Sequence, residues 1–132
     1  ISKSMQKVIR EQQFSFTTDV CFETVMRQCR EVERSYGPGT WIQQEMIVAY
    51  TNLHKKGFAH SAEAWFNGKL VGGLYGVQIG KVFFGESMFS KMNNASKFAF
   101  ILFVQQLKES GIELIDCQQK TDHLLSLGAE MP

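Results

Sequence analysis

Proline is scarce in this 132-residue chain, with two in all, and no apolar run approaches the roughly 18 residues needed to cross a bilayer. Few prolines together with 44% hydrophobic residues argue against disorder, and the short apolar runs point to a soluble protein. Charge of one sign is lacking too. A net charge of +1 and a pI near 7.9 exclude a polybasic nucleic-acid coat and an acidic solvating tail, so any RNA contact must use a local basic surface. The opening ISKSMQKVIREQ has no apolar stretch before a small-residue cleavage site, which favours a cytoplasmic address over secretion. Cysteine is sparse and unpaired in pattern: Cys21, Cys29 and Cys117 form no C-x-x-C, so neither a disulfide framework nor a zinc site is expected. His54, His60 and His123 share no ligand spacing, and no metal is expected.

What is present reads as one domain over residues 1–132, without repeat or linker, since Gly37-Pro38-Gly39 merely separates two helical patterns. Ser2 to Gln12 is a short basic helix and Phe14 to Thr17 a strand. Val20, Phe22, Val25, Met26 and Cys29 recur at helical spacing over Asp19 to Glu33, with Thr18 as N-cap. Thr40 with Gln43 makes a capping box for a second helix, which Gly57 closes. Ala59 to Phe66 and Lys69 to Val77 flank an Asn-Gly hairpin turn, and Gly80 turns the chain into Lys81 to Ser90. Asn93 or Asn94 caps a helix that ends at Gly111, Ile112 to Gln118 is the next strand, and a short helix closes at Gly128. After the basic helix the order is β-α-α-β-β-β-α-β-α. A meander feeding a helix and then a parallel strand is the order of an α+β, acetyltransferase-like (acyl-CoA N-acyltransferase) fold.

Three features carry chemistry. Strict alternation in the last strand puts Ile112, Leu114, Asp116 and Gln118 on one face, so two polar groups stand together at a strand end, either as a turn cap or as a hydrogen-bonded site. In Lys81 to Ser90 the same rule groups Val82, Phe84, Glu86 and Met88, where Glu86 is either a snorkelling edge residue or a site group with a cationic partner. The helix with Phe98, Phe100, Ile101, Leu102, Phe103 and Val104 is apolar nearly all round, as core or as the floor of an apolar pocket.

Several motifs agree on one resemblance. Gly85-Glu86-Ser87-Met88-Phe89-Ser90-Lys91-Met92-Asn93-Asn94-Ala95-Ser96-Lys97, Leu114-Ile115-Asp116-Cys117-Gln118 and Ser126-Leu127-Gly128-Ala129 resemble the leucyl/phenylalanyl-tRNA-protein transferase family. So do Gly39-Thr40-Trp41-Ile42, Tyr50, His54, Ala59-His60-Ser61 with Glu63 and Trp65, and Leu70 through Val77, in the same order from about Ser2 to Pro132. The resemblance implies an acetyltransferase-like catalytic domain, and an enzyme that moves Leu, Phe or Met from aminoacyl-tRNA to the N-terminal Arg or Lys of proteins in the bacterial N-degron pathway. It implies no cofactor. It places the family's catalytic pair on Asp116 and Gln118, and the walls around the aminoacyl group on Trp41, Tyr50, Phe83, Met88, Phe103 and Ile115, with Glu86 beside them.

The family's smaller N-terminal domain, with its Trp/Pro-rich signature, and its C-terminal end have no counterpart here, which reads as a catalytic-domain fragment or a shortened relative. In such a fragment the Phe-rich helix is expected to leave an apolar patch open. Lys3, Lys7 and Arg10 share one helical face and are the tRNA-phosphate candidates, although the family tends toward more Arg where Gln6 and Glu11 stand. The competing classes are a CoA-dependent N-acetyltransferase and a non-catalytic tRNA- or peptide-binding fragment. The first needs a Gly-rich pyrophosphate loop, and Lys91-Met92-Asn93-Asn94-Ala95 has no glycine.

Overall fold

Asn67 and Gly68 decide the first strand reversal: both have positive φ, 52° and 77°, which is the type I′ hairpin that the Asn-Gly pair predicts. The computed structural model describes residues 3–11, 14–34 and 40–117. In chain order the elements are α1 (Lys3–Arg10), β1 (Ser15–Thr18), α2 (Phe22–Arg34), α3 (Thr40–Lys55), β2 (Ala59–Phe66), β3 (Lys69–Ile79), β4 (Val82–Ser90), α4 (Ala95–Glu109) and β5 (Leu114–Cys117). The strands form one sheet, β1-β2-β3-β4-β5, antiparallel except where β5 runs parallel to β4. A parallel neighbour requires a crossover, and α4 supplies it. The helix expected to close at Gly128 lies outside the described residues.

The sheet is covered on both faces, so its strands are apolar on both. On one face α4 buries Phe98, Phe100, Phe103 and Leu107 against Ala62, Ala64, Val71, Leu74 and Phe83, with Ile9 of α1 resting on the same cluster. On the other, α2 and α3 press Phe22, Val25, Met26, Cys29 and Ile47 onto Ala59, Tyr75 and Phe89. Small residues set the depth of both contacts. A Cβ on Gly73 would lie 3.4 Å from Val25 of α2, and one on Gly72 would lie 2.8 Å from Ala95 of α4.

Four expectations change. Alternation breaks in β4, because Tyr75 pairs with Ser87 while Gly76 pairs with Gly85, leaving Glu86 as the extra residue of a β-bulge. Phe83 and Met88, five positions apart, therefore both face α4. Thr18 is the last residue of β1, not the cap of α2; Asp19, at φ 58°, turns the chain instead, and Val20 is 61% exposed. Asn94 precedes α4 in the left-handed conformation (φ 72°) but makes no capping bond; the Ser90 hydroxyl accepts from the Ser96 N–H at 3.2 Å in its place. Phe98, Phe100 and Phe103 are all buried, so α4 presents no open aromatic patch there; Phe14 and Phe16 meet the Phe98 ring at 5.4 and 6.4 Å, and Phe66 meets Phe14 at 6.3 Å.

Candidate functional site

Gly76 has no side chain where one would strike the bulge: a Cβ there would stand 2.2 Å from the Phe84 carbonyl oxygen and 2.5 Å from the Phe83 ring. Phe83 consequently tucks beneath β3 and meets Phe103 edge to face at 5.2 Å and 87°. Beside this pair, between β4, β5 and α4, runs a cleft lined by Leu74, Tyr75, Phe83, Gly85, Glu86, Ser87, Met88, Phe100, Phe103, Val104, Leu107 and Ile115. Its free volume is about 10 Å³, room for about one water, so a larger group enters only as the walls part. The walls are apolar except at the bulge.

Of the residues singled out from sequence, Phe83, Glu86, Met88, Phe103 and Ile115 meet in this cleft. Tyr50 does not line it. Its ring packs on the opposite face of the sheet, edge to face with Tyr75 at 5.8 Å, and its hydroxyl donates to Glu86 Oε1. Burial first, and then the Glu86 carboxylate, push the Tyr50 hydroxyl up to about 12, so it keeps its proton and remains a donor. Asp116 is exposed, next to Ile115 and paired in register with Phe84, near the C-terminal end of β5. Gln118 and the side chain of Trp41 lie outside what the structure describes. Lys3, Lys7 and Arg10 are exposed on α1. Phe100 and Val104 come from the apolar helix that the sequence offered as core or pocket floor, and Leu74 and Leu107 complete the cleft without having been singled out.

A second polar cluster joins Thr17 and Asp19 to His54, His60, Ser61, Glu63 and Trp65, motif residues to which the sequence assigned no role. Glu63, fully buried in β2, accepts from the Thr17 hydroxyl at 2.6 Å, from the Ser61 hydroxyl and from the Val20 N–H at 3.3 Å. Trp65 Nε1 donates to Thr17 Oγ1 at 2.8 Å. Asp19 accepts from the Ser61 N–H and lies 3.0 Å from His60 Nδ1, while His54 Nδ1 donates to the Ala59 carbonyl at 2.9 Å and stacks on Phe22 at 4.5 Å. The hydrogen bond and charge of Asp19 raise His60 above its ordinary value. Burial alone would raise Asp19, but His60, the Ser61 N–H and the charge of His54 together bring it below the usual carboxylate range. Burial, with the Glu63 charge adding to it, pushes the Cys21 thiol up to about 11, so it is held as an unreactive neutral thiol. Among the described residues no group of three His, Cys, Asp or Glu side chains is placed to hold a metal ion, and no helix is long and apolar enough to cross a membrane.

The family model for leucyl/phenylalanyl-tRNA protein transferase matches residues 1–132. The chain belongs to that family. Transferases of this name from Hydrogenovibrio crunogenus and Nitrosospira multiformis are 57% and 56% identical to it, over 99% and 100% of the chain. The chain spans about half of their length, 51% and 57% respectively. Among solved structures an aminoglycoside acetyltransferase from a soil metagenome, in complex with sisomicin, aligns with a TM-score of 0.65 at 14% identity, covering 92% of this chain and 93% of that one. A predicted acetyltransferase from Clostridium acetobutylicum with acetyl-CoA aligns at 0.65 and 11% identity, covering 90% and 91%. Likeness at that identity establishes the fold: this transferase-family chain has the acetyltransferase-like architecture expected from its element order.

Proposed function

We propose that the chain is a single catalytic domain of a cytoplasmic aminoacyltransferase, which moves Leu, Phe or Met from aminoacyl-tRNA onto the N-terminal Arg or Lys of a protein without a resident cofactor. The observation that carries this reading is the convergence of Phe83, Met88, Phe103 and Ile115 in one apolar cleft, with Glu86 also in its lining, in a chain whose residues 1–132 match the transferase family. An apolar cleft suits an apolar aminoacyl group, and a carboxylate-bearing residue in its lining suits a cationic acceptor.

In the transfer, the acceptor's α-amine nitrogen forms a bond to the ester carbonyl carbon, the bond from that carbon to the tRNA 3′ oxygen breaks, and the amine's proton passes to the departing oxygen. An α-amine has an unperturbed pKa of about 7.7 to 8.0, so a useful fraction is already neutral and positioning matters more than basicity. Gln118 is assigned to accepting a hydrogen bond from the amine and aiming it, and Asp116 to orienting the Gln118 amide. Lys3, Lys7 and Arg10 of α1 offer the phosphate contacts that hold the tRNA body.

The CoA-dependent alternative is disfavoured by the start of α4. The Ala95 N–H is bonded to the Met92 carbonyl at 3.1 Å and the Ser96 N–H to Ser90 Oγ, so amides that would cradle a pyrophosphate are already satisfied. In an active form of the enzyme, Asp116→Ala and Gln118→Ala should each lower turnover by about 10²-fold, while aminoacyl-tRNA binding is retained. Single-turnover transfer to an Arg-initiated peptide, with filter binding of the charged tRNA, measures both. Near-normal turnover in both variants overturns the catalytic assignment, and a non-catalytic binding fragment would show no transfer at all.

A further inference from the structure

Glu86 is the extra residue of the β4 bulge, so no residue of β3 stands opposite it to fix its direction. Yet it is among the residues lining the cleft, where its proposed role is to meet the acceptor's cationic residue. Something else must aim it. Tyr50 is the side chain that does: it rises from the third turn of α3, its hydroxyl donates to Oε1, and among the described residues Oε2 takes no further hydrogen bond. Tyr50 is itself held by packing. Its ring meets the edge of Tyr75, which is 1% exposed and in turn meets Phe22 at 6.0 Å and 81°. Phe22 stacks on His54, one helical turn beyond Tyr50 on α3, so an aromatic chain fixes α3 and the hydroxyl against the sheet.

We infer that Tyr50 is a positioning residue for acceptor selection: by occupying one carboxylate oxygen of Glu86 from the α3 side, it leaves the other directed at the cationic N-terminal residue of the acceptor. A phenol is suited to this. It donates one hydrogen bond, it carries no charge that would neutralise the carboxylate, and its raised pKa keeps the donor in place at any physiological pH. Tyr50 thus acts through Glu86, from the face of the sheet opposite α4, and is no part of the aminoacyl wall. The inference rests on Glu86 being the group that meets the acceptor.

The test is a double-mutant cycle in the active enzyme, with KM and kcat read separately for an Arg-initiated acceptor peptide and for the aminoacyl-tRNA donor. Tyr50→Phe should raise the acceptor KM by about tenfold with donor KM unchanged, Glu86→Gln should raise it at least as much, and the double variant should be no worse than Glu86→Gln alone. If Glu86→Gln leaves the acceptor KM unchanged, the assignment of Glu86 fails and the role of Tyr50 falls with it. If Glu86→Gln raises the acceptor KM but Tyr50→Phe does not, or if the two effects multiply, Glu86 stands and the positioning role of Tyr50 is overturned. A donor KM raised by Tyr50→Phe instead returns Tyr50 to the aminoacyl wall and also overturns it. Should Tyr50→Phe fail to fold, the wild-type chain still decides. Its Tyr50 hydroxyl should give a slowly exchanging, downfield proton resonance that shifts in Glu86→Gln, and absence of that resonance counts against the inference.

Discussion

A single missing side chain makes the cleft. Because a Cβ on Gly76 would lie 2.2 Å from backbone oxygen, which cannot swing aside as a side chain does, Gly76→Ala should displace the bulge. The expected cost is about 3 kcal/mol or more, the upper end for overpacking, read from denaturant unfolding. A cost below about 1 kcal/mol would show the contact to be slack. Asp19 and His60 act in another way, through pH. The folded-state value of His60 lies above 6.5, so its contribution is complete below that pH and fades as pH rises through the raised value. Asp19 lies below 3.8 when folded, so its contribution is present above that pH and fades as pH falls through the lowered value. The pair therefore stabilises a mildly acidic window. The unfolding free-energy difference between wild type and His60→Gln should be largest near about pH 5 and shrink toward about pH 9; a difference independent of pH would separate His60 from Asp19. Neither role was legible in the sequence, because Asp19 and His60 are distant along the chain and only the β1–β2 pairing brings them together.

Helix α1 isolates a single physical contribution, since Ile9 faces the core while Lys3, Lys7 and Arg10 are exposed and adjoin along the helix. Replacing all three by Ala should weaken binding of charged tRNA and reduce the slope of log affinity against log salt by up to about three. An unchanged slope in the triple variant would remove α1 from the tRNA interface. Elements whose ends are decided locally were readable in advance. Asn67-Gly68 fixed a hairpin, and Gly111, at φ 100°, ended α4 by letting the Ile112 N–H return to the Leu107 carbonyl at 3.0 Å. The bulge was not readable from alternation, which assumes period two throughout and so put Phe83 and Met88 on opposite faces. Gly85, a glycine inside a strand beside the one carboxylate of β4, was the local hint. The turn at Asp19 was missed for a related reason: its side chain serves β2 and not the helix that follows.

Taken whole, the molecule sorts its chemistry by sheet face. The apolar cleft belongs to α4, and the hydroxyl of Tyr50 and the Asp19 and Glu63 cluster belong to the α2 and α3 side; the bulge at Glu86 is where the two sides communicate. Periodicity announced the first face because it is built of Phe and Leu at regular spacing. The second face depends on long-range pairs that no window of sequence contains. At the edge of this arrangement lies β5, four residues held to β4 alone among the described strands, with Ile115 in the cleft and Asp116 beside it on the other face. A slip of one residue would exchange them, driving a carboxylate between Phe83 and Phe103 and turning Ile115 out to water. The proposed site thus depends on the register of a four-residue edge strand, as short as β1 at the opposite edge, while β2, β3 and β4 are each paired on both sides. Activity should therefore have a melting point of its own. Transfer is expected to fail several degrees below the global unfolding midpoint, roughly as a local opening would, with the amides of β5 exchanging hydrogen far faster than those of β2 and β3. Equal protection across the sheet, and activity lost only at the global transition, would mean that β5 is as firmly bound as the strands it borders.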